Sequence, residues 1–305
     1  MAIGGLLFSA ALSWATAAHS QPETSEPPVT QLDEIVVVGA PLRDLVRDFV
    51  DEVAAPLPGR GPARFDRIIC AGVVNLQRDM AQALVDRVSA AAAEAGLEVG
   101  EPGCSPNLLI IAADDGRALA TGLVEAVPLA FRPGYAGASA SRAKLNRFQD
   151  TDAPVRAWHV SIPVDSQTGA VAVPMPGDDA ERLILTTGGL LRTPIRNDLR
   201  RAIVIVDIAQ AEGLSVQQLG DYVAMVSLAQ VDVEADTSRF RTVLNVFDAP
   251  EATEGLTDWN RSYLRSLYGA ELNQRNPTHQ TGAVGRDMVR DREAAEHEAA
   301  PLEVE

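Results

Sequence analysis

Three polar residues in otherwise apolar segments are the first candidates for chemistry: His159, Asp207 and Asp221. Asp207 lies near the end of a continuous apolar run at residues 202–208, and open α/β sheets bind ligands at the C-terminal ends of their strands. Asp221 lies in a helix that is apolar almost all round. Two carboxylates and an imidazole could act as general acid and base, so one hypothesis is a hydrolase that uses carboxylates. The structural alternative is a turn-forming aspartate and a solvated or hydrogen-bonded strand histidine.

His159 is the only histidine expected in the core, because His19 belongs to the N-terminal segment and His279 and His297 lie in polar sequence. The alternation of residues 155–163 places it on the less apolar face of a strand. Zinc hydrolases use three protein ligands, mostly imidazole and carboxylate, and no such set is apparent. No Gly-rich phosphate loop follows a predicted strand. The sequence therefore predicts neither a metal nor a cofactor.

Ser141 and Lys144 form an S-x-x-K motif, which serine acyl-transferases and β-lactamases also contain. Those enzymes need a second lysine motif beside the pocket, and Lys144 is the only lysine in the chain. The motif therefore predicts a polar helix face in preference to a Ser-Lys hydrolase.

Composition excludes several classes of protein. The chain has 305 residues, of which 46% are hydrophobic and 22% charged, which is typical of a globular protein with a sizeable core. The formal net charge of -16 would repel nucleic acid over most of the surface. Nucleic-acid binding is not expected.

Residues 1–20 contain an apolar run followed by small residues, the pattern of a signal peptide. A misplaced start or an uncleaved anchor is the alternative, because this segment contains no Lys or Arg. No later segment reaches the roughly 18 apolar residues of a spanning helix. The prediction is a periplasmic or secreted protein with no transmembrane segment after cleavage.

Cys70 and Cys104 are the only cysteines. An even pair in an oxidising compartment predicts a disulfide. Two buried free thiols are the main alternative, and the spacing fits neither a redox motif nor a zinc site.

The pattern of the chain predicts an α/β (α+β) fold with a mixed sheet and packed helices. A flexible leader, residues 21–33, precedes one globular domain at residues 34–270, with a subdivision near 150 as an option. Within this domain we expect a strand at 34–39, an amphipathic helix from Pro41 and a βαβ-like unit at 67–112. They should be followed by a central strand at 202–208, a capping box at Ser215, and helices at 237–247 and from Thr257. After the domain we expect a disordered acidic tail at 271–305.

The segment EIVVV, residues 34–38, resembles the TonB box near the mature N-termini of TonB-dependent outer-membrane receptors. A TonB box adds a strand to the sheet edge of its partner. The resemblance implies a cell-envelope protein partner, whereas the alternative is a core or edge strand.

Residues 201–269 resemble the C-terminal half of the zincin metallopeptidases, through the central strand, the buried helix, and a last helix that begins with L-T-D-W-N and ends with L-Y-G, similar to the L-T-x-x-D and L-Y-G of matrixin-type members. They are also similar to a family of uncharacterised exported bacterial proteins that carry this half in degenerate form. The zincins need H-E-x-x-H on the buried helix, and residues 221–225 (DYVAM) lack it. The resemblance implies a scaffold without peptidase zinc.

These observations favour an exported, non-catalytic binding or interaction module. A hydrolase that uses Asp207 and Asp221, a zincin-derived protein that has lost its metal, and a tethered cell-envelope protein are the alternatives. Whether the protein is an enzyme stays open at this point.

Overall fold

A computed structural model describes residues 41–66, 68–132, 140–173 and 188–299. These residues belong to one compact unit that begins at Ala40. The predicted signal peptide, the leader and the EIVVVG strand lie outside the described residues. Among the helices described, none is long and apolar enough to cross a membrane.

The fold is α/β, with a mostly parallel sheet whose central strand is β7. Its strands are β1 (Arg64–Phe65), β3 (Ala71–Val74), β5 (Leu108–Ala113), β6 (Val155–Asp165) and β7 (Ile195–Asp207), and a separate parallel pair joins β2 (Ile68–Ile69) to β4 (Glu98–Val99). β6 runs antiparallel along one edge of β7. β1 and β5 share the other edge, and β3 pairs with β5.

Helices cover both faces of the sheet. On one face a large core cluster joins helices α1 (Leu42–Val53), α2 (Arg78–Glu94), α6 (Val216–Leu228), α7 (Asp258–Gly269) and α8 (Pro277–Ala299). On the other face a smaller cluster joins α3 (Gly116–Ala126), α4 (Pro128–Phe131) and α5 (Arg142–Asp150). Because both faces are covered, the C-terminal half of β7 needs a continuous apolar sequence.

Several local predictions are confirmed. The βαβ-like unit is present with α2 and β5, but its first strand is β3 and not the segment at residues 67–70 with which the predicted unit begins, because β2 pairs with β4 in a separate sheet. Ser215 and Thr257 cap α6 and α7, each through a complete capping box. These signals are local hydrogen-bond patterns that need no tertiary contact.

The boundary predicted for the tail is too early, because residues 277–299 form α8. Its buried residues Val284 and Met288 are 1% and 0% exposed, but they are too sparse among charged residues to predict a helix.

The helix predicted at residues 237–247 is wrong, since only a short 3-10 turn forms at Val243–Asn245. There the Asn245 side-chain amide donates hydrogen bonds to the Thr237 and Phe240 carbonyls. These bonds are an alternative to the backbone hydrogen bonds of a helix.

The predicted disulfide is present between Cys70 and Cys104, whose Cα atoms lie 6.1 Å apart. It ties the junction of β2 and β3 to the loop before β5. Asn107 supports the same junction, accepting from the Cys70 amide at 2.8 Å and donating to the Ile68 carbonyl at 2.7 Å.

We predict that reduction lowers the free energy of unfolding by about 3–4 kcal/mol, the chain-entropy value for a loop of this size. Urea unfolding with and without a reductant measures this. The double variant Cys70→Ala/Cys104→Ala is the control, and its stability should not respond to the reductant. Titratable thiols in the unreduced, denatured protein would contradict the bridge.

Candidate functional site

Asp207 joins the end of β7 to the first turn of α3. Its Oδ2 accepts from the Gly116 amide at 3.0 Å and its Oδ1 from the Gln210 amide at 3.2 Å. The buried guanidinium of Arg156 lies nearby, where burial lowers its pKa and the charge of Asp207 opposes that effect. A side chain at Gly116 would come within 2.5 Å of Arg156. Asp207 therefore has a structural role at the C-terminal end of β7, where the sequence predicted a ligand site.

Asp221 joins α6 to α2 and to the segment before α7. Its carboxylate accepts from Arg87 Nε at 2.9 Å and Nη2 at 2.6 Å, and from the Leu256 amide at 2.9 Å. The residue is 1% exposed. Such a charge is stable inside a protein only because it is paired and hydrogen-bonded.

His159 lies under α6 and is 5% exposed, although its strand pattern placed it on the less apolar face. Its Nε2 lies 3.2 Å from the Ser227 carbonyl oxygen, so this nitrogen carries the proton. Burial, with a smaller contribution from the charge of Lys144, lowers the pKa of His159 to about 3. The imidazole is therefore neutral at physiological pH.

The structure does not bring His159 and Asp207 together. His159 is paired with Ala202, and Asp207 follows five residues later on β7, or roughly 16 Å along a strand. Their side chains also contact opposite layers, because His159 meets α6 and Asp207 meets α3. A general acid and base must reach one reacting group, which this separation prevents for the pair.

A different pocket lies at the outer edge of β6 and contains the S-x-x-K motif. Ser141 caps α5 by accepting from the Lys144 amide at 3.1 Å, and both residues line the pocket. Its volume is about 250 Å³. The other walls come from the start of β6, the loop after α1 and the loop after α6, with apolar lining from Ala55, Pro56, Leu57, Ala143, Phe148, Val155, Ala157, Val231 and Val233.

The two cations on α5 that line this pocket, Arg147 and Lys144, differ in their ion pairs. Arg147 Nη1 lies 3.4 Å from a Glu234 carboxylate oxygen and 4.0 Å from one of Asp232. Among the residues described, no carboxylate comes within 4.0 Å of the Lys144 ammonium. Burial lowers the pKa of Lys144, Asp232 opposes this shift and Arg147 adds to it. Lys144 is thus a half-buried cation that has no ion pair with any residue the structure describes.

The sequence contained one signal for this pocket, namely the single lysine one turn after Ser141. The remaining walls could not be foreseen, because they come from loops near residues 55, 155 and 232. A backbone bridge between Ala54 and Val231 brings two of these loops together.

Within the described ranges, no three His, Cys, Asp or Glu side chains are grouped so that they could hold a metal ion. No protein-family model matches the sequence, and no significant match was found among curated proteins or solved structures.

We predict that Asp221→Asn lowers the free energy of unfolding by about 1–3 kcal/mol, because it weakens the charge-assisted hydrogen bonds of a buried carboxylate to the partly exposed Arg87 and to the Leu256 amide. Chemical denaturation measures the loss. Asp291→Asn is the matched control, since it breaks the more exposed pair with Arg265 and should cost about 1 kcal/mol or less. Equal losses would show that Asp221 is not a buried cross-link.

The pKa of His159 predicts acid sensitivity. Its folded pKa of about 3 is below the value of about 6.5 in an unfolded chain, so between these values only the unfolded state takes up the proton. The contribution of His159 to the free energy of unfolding is fully present above about pH 6.5. It should fall by about 1.4 kcal/mol for each pH unit below that value.

Denaturation of His159→Gln between pH 7 and 5 should lack this slope relative to the natural protein. His279→Gln, at an exposed position, should retain it. Parallel curves for the natural protein and His159→Gln would contradict the assignment.

Proposed function

We propose that this protein is an exported, non-catalytic binding module and that its ligand is a small, mostly apolar carboxylate held in the Lys144 pocket. The observation that carries the proposal is that Lys144 lines a pocket with mostly apolar walls and that its ammonium has no carboxylate within 4.0 Å among the described residues. Export rests on the N-terminal sequence.

Burying a charged group away from water carries a free-energy cost. An ammonium that loses water without a counter-charge in direct contact is destabilised, and Asp232 offsets this only from beyond 4.0 Å. A carboxylate ligand would offset this cost, and its apolar body would replace water along the half-buried Pro56, Ala157 and Val233. A pocket of about 250 Å³ is below the common range for drug-sized ligands and suits a smaller molecule.

Two further points favour binding over hydrolysis. Asp207 and Asp221 are occupied by backbone amides and by Arg87. The Ser141 hydroxyl accepts a hydrogen bond as the N-cap of α5. A hydrolase would need a carboxylate or hydroxyl that is turned toward a substrate.

Calorimetry with butanoate, hexanoate and benzoate, each against its primary amide, tests the proposal. We expect the acids to bind and the amides to bind about tenfold more weakly or not at all, because a charge-assisted contact is lost. The affinity for the acids should fall as the pH rises through the pKa of Lys144, which burial places below 10.5.

Lys144→Gln should abolish the preference for acids. Arg142→Gln, which removes an exposed cation from the same helix, is the matched control and should bind as the natural protein does. Equal binding of acids and amides, or unchanged binding by Lys144→Gln, would overturn the proposal.

A further inference from the structure

A second concave surface lies at the start of β7, where a loop that follows α1 meets the N-terminal end of α8. This Arg60 pocket has a volume of about 520 Å³. Polar side chains on its walls include those of Arg60, Thr193, Asn197, Gln274 and Arg275. It is separate from the Lys144 pocket, with which it shares no lining residue.

The Arg60 pocket contains two cations that the surrounding protein does not neutralise. Its described lining includes Arg60 and Arg275 but no Asp or Glu. Neither arginine forms an ion pair with any residue that the structure describes. Both charges are therefore available to a ligand, although the chain as a whole has a net charge of -16.

Acidic residues of the adjoining segments do not balance these two charges, because they are paired with other arginines. Glu271 contacts Arg192, and Asp198 accepts from Arg196 at 2.8 Å. Asp66 also contacts Arg196. An anion in the pocket would thus meet unpaired arginines and no unpaired member of this group of carboxylates.

Arg60 is partly dehydrated in its unpaired state. The residue is half-buried, and its Nη1 atom is enclosed without a hydrogen-bond partner. Burial lowers the pKa of Arg60, but a guanidinium stays charged in a protein. The other two guanidinium nitrogens keep access to solvent. An anion that accepts from them would offset the cost of burying the charge.

Asn197 gives the pocket a preformed hydrogen-bonding group. The residue is only 9% exposed and lines the pocket, yet its side-chain amide makes no hydrogen bond within the part of the chain that the structure describes. An amide in such a position needs partners for its donors and for its acceptor. A ligand hydroxyl can serve both, because it donates to the amide oxygen and accepts from the amide nitrogen.

The other walls favour a ligand with a carbon skeleton. Half-buried Pro194, Ile195 and Pro277 line the pocket, and their apolar surface is better covered by the C–H face of a sugar ring than by water. The volume of about 520 Å³ is within the range of small-molecule sites. It exceeds what a bare phosphate ion would fill.

We propose that the Arg60 pocket binds a phosphorylated sugar, with its phosphate at Arg60 and Arg275 and its hydroxyls at Asn197. Guanidinium groups bind phosphate oxygens through paired, charge-assisted hydrogen bonds. A phosphate monoester carries almost two negative charges at neutral pH, which matches two arginines. The positive end of the α8 dipole lies at Pro277 on the same wall and adds to the attraction.

Calorimetry with glucose 6-phosphate, galactose 6-phosphate and ribose 5-phosphate tests the proposal, each against its free sugar and against orthophosphate. We expect at least one ester to bind about tenfold more tightly than either fragment, because only the ester uses both the arginines and the amide. Its affinity should decrease as salt is added. It should increase with pH around a value of about 6, where the phosphate loses its second proton.

Substitutions separate the roles of the lining residues. Arg275→Gln, at an exposed position that folding does not require, should weaken the best ester about tenfold through the loss of one charge-assisted contact, and the double variant Arg60→Gln/Arg275→Gln should abolish binding. Asn197→Ala should weaken the ester and leave orthophosphate unchanged. Arg78→Gln removes an exposed arginine outside both pockets and is the charge-matched control.

Esters that bind no more tightly than orthophosphate or than the free sugar would overturn the proposal, as would ester binding that survives Arg60→Gln/Arg275→Gln. Lys144→Gln should bind the ester as the natural protein does, so failure of this site is distinguishable from failure of the Lys144 pocket. Loss of ester binding in Lys144→Gln would instead assign the phosphate to the Lys144 pocket and would also overturn the proposal.

Discussion

The structure depends on β7, a strand of 13 residues that has neighbours on both edges and helices on both faces. β6 occupies one edge along nearly its whole length. The other edge is divided between β1 and β5, which pair with its first and second halves. Because every backbone group in such a position must find a partner, β7 determines where the remaining strands lie. The exposed Arg200 and Arg201 fall between the segments paired with β1 and β5.

Buried polar groups connect the helical layers to this sheet. Asp207 holds the start of α3, His159 contacts a carbonyl of α6, and Asp221 joins α6 to α2. Each group makes the hydrogen bonds that burial demands. The residues that first suggested chemistry are therefore explained by the assembly of the core, since a buried polar side chain satisfies the requirements of a cross-link as readily as those of a catalytic group.

The Lys144 pocket presents a cation without an ion pair among the described residues, on a chain with a net charge of -16. Long-range repulsion would discourage anions over most of the surface. Local contact with Lys144 would then select an anion that also brings apolar surface, which is the property of the proposed ligand.

The sequence by itself determined the α/β class, the βαβ unit, the amphipathic α1, the capped starts of α6 and α7 and the pairing of Cys70 with Cys104. These features depend on periodicity, on capping within one turn, or on there being only two cysteines.

Tertiary structure decided the rest. Residues 277–299 became helical through packing against α1 and α7, and residues 237–247 failed to form a helix. The separation of His159 from Asp207 follows from strand register, and the walls around Lys144 come from segments far apart in the chain. Register and loop contacts are pairwise properties of distant segments, and no local pattern encodes them.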